Sequence, residues 1–135
     1  RYFVRLRDLW SQILRILVVD DDPLIAEMLN TVLQEDGHEV TMAANGDIAL
    51  RGMKEAMPDV VLTDIIMPTR EGIETIQEIR KLSSDLPIIA MSGGGRLDAM
   101  SLLDVAEKFG ADAPLAKPFK PQQLLAIIQE VASKG

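Results

Sequence analysis

The sequence predicts an α/β fold around a single five-stranded parallel sheet, and three observations carry that expectation. From residue 15 onward, apolar strand-like runs and amphipathic helix-like runs alternate five times. Such alternation requires crossover helices that cover a parallel sheet. Three of the strand runs are apolar without a break, as strands buried on both faces must be. The other two carry the marks of edges.

The strand candidates are 15–20, 39–43, 59–64, 87–92 and 113–116, and the helix candidates are 23–36, 46–57, 70–82, 96–109 and 121–133. The first strand ends in three consecutive carboxylates, Asp20, Asp21 and Asp22, followed by Pro23. Asp22 is expected to cap the first helix rather than bind a ligand, with Pro23 at its first position. Leu24, Ile25, Met28, Leu29, Val32 and Leu33 are expected to form the buried stripe of that helix. His38, after Asp36-Gly37, is expected to be a solvated turn residue. Strand two sets Val40, Met42 and Ala44 against Thr41 and Ala43, an alternation that reads as an edge. Ile73, Ile76 and Ile79 supply the inner face of the third helix, and Leu124, Leu125, Ile128 and Val131 that of the last. Strand five is short and holds Pro114, which a sheet tolerates mainly at an edge. The methionines are expected mostly to fill the core.

Two edges and three centres are compatible with the order 2-1-3-4-5, a flavodoxin-like (βα)5 sandwich of three layers. That order is known from flavodoxin and a chemotaxis receiver, so the expectation matches an existing pattern. It places a binding site at the carboxyl ends of strands one and three, where the connections diverge. Asp20, Asp21 and Asp64 fall there.

At 135 residues the chain has room for one sizeable core. The longest apolar runs are too short for a membrane span. There is no cysteine, which excludes disulfides and thiolate chemistry and fits a cytoplasmic chain. A net charge of −7 disfavours nucleic acid as a partner of this domain and suits a cation or a protein. Residues 1–14 differ: Arg1, Arg5 and Arg7 face only Asp8, and Phe3, Leu6, Trp10 and Ile13 recur at helical spacing. This amphipathic extension reads as a tag remnant, a linker helix or a docking helix.

The rim of strand ends carries the chemistry. Three carboxylates within about 5 Å repel by roughly 3 kcal/mol per pair at an effective dielectric near 20. Ser92 ends strand four and Lys117 ends strand five. One ammonium cannot neutralise three acids, and an all-oxygen donor set favours a hard cation such as Mg²⁺. A cation, an ammonium and a hydroxyl around a carboxylate suit phosphoryl transfer through an aspartyl phosphate.

These residues resemble the receiver domains of two-component response regulators. The matching pieces are Val18-Val19-Asp20-Asp21, Thr63-Asp64-Ile65-Ile66-Met67-Pro68, Gly72, Met91-Ser92-Gly93 and Lys117-Pro118-Phe119, in order over 15–135. The resemblance implies that Asp64 accepts a phosphoryl group from a phosphohistidine on a sensor histidine kinase or phosphotransfer protein and then alters binding of an unidentified downstream protein. It implies Mg²⁺ on Asp20, Asp21, Asp64 and the backbone carbonyl of Ile66, with Ser92 and Lys117 on the phosphoryl oxygens and a cis Lys117-Pro118 bond. The domain is thus a signalling module that catalyses only its own phosphorylation. With no output domain after the last helix, it reads as a single-domain regulator or a receiver from a longer chain.

Two departures stand out. The family usually has an aromatic switch residue three before the lysine, where this chain has Pro114. Output is therefore expected to pass through the Ser92–Arg96 loop, whose Gly93-Gly94-Gly95 run predicts mobility. The positions where the family varies dephosphorylation hold Ile66 and Gly94, neither of which can orient a water. An alternative is a haloacid-dehalogenase-like phosphatase with Asp20 as nucleophile and Asp22 as general acid, although Leu24 breaks that motif. A degenerate receiver used only as a scaffold is a third reading.

Overall fold

The structure is a computed structural model that describes residues 13–65, 71–92, 104 and 106–134. Five strands form one parallel sheet: β1 (Arg15–Val19), β2 (Glu39–Ala43), β3 (Val60–Asp64), β4 (Ile88–Ser92) and β5 (Ala113–Ala116). Their order is β2-β1-β3-β4-β5, as the strand compositions predict. The helices are α1 (Pro23–Glu35), α2 (Gly46–Glu55), α3 (Glu71–Leu82) and α4 (Pro121–Lys134). Residues 104 and 106–108 are also helical; the rest of the 96–109 candidate lies outside the described residues, as do residues 1–12. No described helix is long and apolar enough to cross a membrane.

The period of two along each strand divides the core. Leu17, Val19, Val61, Ile88 and Ala90 face one layer with Ile76 and Ile79 of α3. Ile16, Val18, Leu62, Ile89 and Met91 face the other with Leu29 and Leu33 of α1 and Leu124 and Ile128 of α4. β3 and β4 are buried along their whole length, and β1 after its first residue, which accounts for their unbroken apolar sequence. At the far edge β5 alternates, with Pro114 exposed.

Several sequence expectations need correction. Leu24 is 80% exposed and Met28 is also exposed, so the buried stripe of α1 is narrower than its apolar residues. β2 is an edge strand as its alternation predicts, but its buried residue is Ala43, while Met42 and, just past the strand, Ala44 lie open. Met28, Met42 and Met57 are exposed, and only Met53 and Met91 among the described methionines fill the core. His38 is buried rather than solvated. Its Nδ1 accepts the Leu14 N–H at 3.1 Å, which leaves Nε2–H to donate to Asp36 Oδ2 at 3.1 Å. The ring thus satisfies a backbone donor just before β1, a use that the turn sequence does not reveal.

The foot of the sheet is tied by carboxylates that precede strands. Asp59 accepts the Arg15 N–H on Oδ2 at 2.8 Å and donates its own N–H to Arg15 O at 2.7 Å. Asp112 repeats the device on β4, with Oδ2 accepting the Ile88 N–H and its own N–H donated to Ile88 O, both 2.8 Å. Arg80 closes this end, donating to Gly110 O, Leu86 O and Asp112 Oδ2 at 2.6–2.9 Å. Its guanidinium joins α3 to the starts of β4 and β5. Arg80→Ala leaves these acceptors without their partner and is expected to lower unfolding stability by about 3 kcal/mol. Urea denaturation checks this, with the exposed neighbour Lys81→Ala expected to leave the midpoint unchanged.

Candidate functional site

Parallel register brings the predicted residues to one rim. Val19 of β1 lies opposite Thr63 of β3, so Asp20 and Asp64 follow side by side. Asp64 pairs with Met91, one residue before Ser92, and Ser92 pairs with Ala116, one before Lys117. Four strand tips therefore converge because each polar residue sits at or just past the end of a buried apolar run.

Asp20 is held by three contacts. Its N–H donates to Ala43 O at 3.1 Å. Its Oδ1 accepts the Asp22 N–H at 2.9 Å, and its Oδ2 accepts from Lys117 Nζ at 3.2 Å. The bond to Asp22 is an Asx-turn, a signal present in the Asp-x-x sequence but not drawn from it. Asp22 makes the next one, accepting the Leu24 N–H at 2.9 Å as the N-cap of α1, as expected. Lys117 also donates to Asp64 Oδ2 at 3.4 Å. Its backbone N–H is fixed to Ser92 O at 2.7 Å, and the Lys117-Pro118 bond is cis.

The side chains of Asp20, Asp64 and Lys117 are only 0%, 8% and 16% exposed, whereas Asp21 is open to solvent. Asp20, Asp21 and Asp64 each offer a carboxylate oxygen, and these atoms lie within 4.8 Å of one another. At that spacing each pair repels by roughly 3 kcal/mol at an effective dielectric of 20, and one ammonium offsets only part of it. An all-carboxylate set of this span fits a hard divalent cation. The Ser92 hydroxyl is fully buried and has no hydrogen-bond partner among the described residues. A buried hydroxyl left so costs about 1–3 kcal/mol, and a ligand oxygen on this rim would satisfy it.

Gly72 shows why its position matters. A Cβ there would lie 2.5 Å from Ile65 Cα and 2.9 Å from Asp64 O, so only glycine lets α3 close on the backbone beside Asp64. The sequence offered Gly72 only as part of a motif, without this reason. Ile66, Met67, Pro68 and the Gly93–Gly95 run lie outside the described residues.

The model of the response regulator receiver domain matches residues 16–129. The chain belongs to this family. It is 38% identical over 115 residues to the DNA-binding response regulator MtrA of Mycolicibacterium smegmatis, covering 85% of this chain and 49% of that protein. It is 40% identical over 122 residues to the probable transcriptional regulator ycf27 of Guillardia theta, covering 87% and 44%. This receiver thus spans about half the length of these curated relatives. A putative response regulator from Chloroflexus aurantiacus superposes with a TM-score of 0.82 at 33% identity, covering 90% of this chain and 98% of that one. The fold is the flavodoxin-like one expected, and the domain is a module of two-component signalling. Neither the family match nor the site supports the dehalogenase-like alternative. Its general acid would be Asp22, whose carboxylate is engaged as a helix cap.

Lys117→Met removes the ammonium that Asp20 and Asp64 share. In buffer without divalent cations it is expected to cost about 3 kcal/mol, because two buried carboxylates are left facing each other. Asp21→Asn, which removes one of the repelling charges, is expected to leave stability unchanged or raise it. Urea denaturation of the three proteins in parallel checks both.

Proposed function

We propose that this receiver takes a phosphoryl group onto Asp64 from the phosphohistidine of a sensor histidine kinase or a phosphotransfer protein. The modification would then change its affinity for a downstream protein. The observation that carries this reading is Lys117 reaching both Asp64 and Asp20 beside the buried Ser92 hydroxyl, which has no partner among the described residues.

In the proposed step an Asp64 carboxylate oxygen attacks phosphorus, an O–P bond forms, and the P–N bond to the donor imidazole breaks. The imidazole leaves with a proton. Lys117 Nζ exchanges its carboxylate contact for a phosphoryl oxygen, and the Ser92 hydroxyl donates to another. Asp20, Asp21, Asp64 and the backbone carbonyl of Ile66 are the groups that would hold Mg²⁺, and that ion would supply neutralisation of the phosphoryl charge. Asp20 is kept in place for this by its Asx-turn bond to Asp22. Because Pro114 has no ring to swing, we place the start of the output signal at Ser92 and the loop after it. The net charge of −7 supports a protein rather than nucleic acid as this domain's own partner. A kinase phosphohistidine is made from ATP, so the reaction is assigned to the cytoplasm.

Incubation with acetyl phosphate and Mg²⁺, followed by intact mass, tests the proposal. A gain of about 80 Da is expected in the wild type and none in Asp64→Asn; equal gain in both would overturn it. Chelation of divalent cations is expected to abolish the gain. With Ile66 and Gly94 unable to activate a water, the aspartyl phosphate is expected to persist on the order of tens of minutes or longer. Loss of the added mass within a minute, in the purified protein, would contradict that.

A further inference from the structure

A groove of about 400 Å³ opens at the foot of the sheet, lined by Arg15, Leu17, Glu39, Met53, Glu55 and Met57 among others. Its floor is apolar: Leu17 and Met53 are buried, and Met57 stands beside them 44% exposed. Its rim carries two carboxylates, Glu39 and Glu55, against one guanidinium, Arg15, whose contact with Glu39 is long at 3.8 Å. We propose that the occupant of this groove is the chain's own amino-terminal segment, residues 1–12.

The first argument is connection. The segment joins the described chain at Ile13, itself half exposed and two residues before Arg15, which lines the groove. Trp10 lies three residues upstream of Ile13, a tether that reaches about 10 Å when extended. A ligand so tethered acts at an effective concentration in the millimolar range, so a contact too small to hold a separate molecule suffices. A second copy or a foreign peptide would instead meet the full cost of association.

Complementarity is the second argument. Residues 1–12 hold Arg1, Arg5 and Arg7 against Asp8, a surplus of positive charge facing a rim with a surplus of carboxylate. Phe3, Leu6 and Trp10 recur at a spacing that gives the segment one apolar side for Leu17, Met53 and Met57. The groove adjoins the start of β1, whereas Asp20 follows its end. Docking there leaves the Asp64 site open, and the inference stands whether or not Asp64 is phosphorylated.

Trp10 is the chain's single tryptophan, so its emission reports this contact directly. In the full 135-residue chain we expect emission at shorter wavelength than a solvated indole and protection from acrylamide, both independent of protein concentration. Met57→Asp and Glu55→Lys, at exposed positions that leave the core intact, are expected to shift emission to longer wavelength and remove the protection. Leu24→Asp, an exposed apolar position on α1, is expected to change neither. Solvent-like emission in the wild type would overturn the proposal. So would a buried Trp10 that ignores both groove variants. A signal that fades on dilution would assign the groove to a second copy and overturn it equally.

Discussion

Everything at the rim depends on one electrostatic mismatch: among the described residues, three carboxylates gather around a single ammonium. Lys117 divides itself between Asp20 and Asp64 at 3.2 and 3.4 Å, longer than the 2.7–2.9 Å of a strong charge-assisted bond. Neither contact is optimised, because the lysine is shared and Asp21 adds a third negative charge nearby. A site in this condition is poised to gain from a cation and from a ligand that reassigns the lysine. The same mismatch would be a liability in a purely structural cluster, where a better-paired set could pack as well.

The mismatch persists because the fold holds it from below. Buried central strands cannot slide without turning their apolar residues to the wrong face, so register transmits position from foot to rim. At the foot, Asp59 and Asp112 each extend a strand ladder by accepting the first N–H of a neighbouring strand. Arg80 binds three segments together at the same end. These foot carboxylates each bind the backbone N–H that opens a neighbouring strand, whereas Asp20 and Asp64 at the rim share one ammonium, although both kinds sit at strand ends. The distinction is one of partners. A carboxylate before a strand meets the first N–H of the neighbouring strand, whereas those that close β1 and β3 converge on Lys117.

That contrast also explains what could be read from the sequence. The strand order followed from which apolar runs were unbroken, since coverage on both faces leaves a plain mark in composition. The rim was legible because each functional residue closes such a run: Asp20 after Val19, Asp64 after Thr63, Ser92 after Met91, Lys117 after Ala116. The foot was not legible. Asp59, Asp112 and Arg80 look like ordinary surface charges, and their partners are backbone atoms many residues away, which leave no trace in side-chain pattern. His38 was misread for the same reason, as its partner is the N–H of Leu14. The apolar residues Leu24, Met28 and Met42 were assigned to the core because periodicity records where a side chain points, not whether anything lies there.

Gly72 joins the two levels. Its missing side chain lets the start of α3 meet the Ile65 backbone and the Asp64 carbonyl, so the helix is seated on the same residues that carry the site. Any added atom must push α3 or the end of β3, and β3 is bound on both sides by β1 and β4. The strain would therefore fall on the start of α3. Close packing of backbone on backbone is what seats α3 against the end of β3.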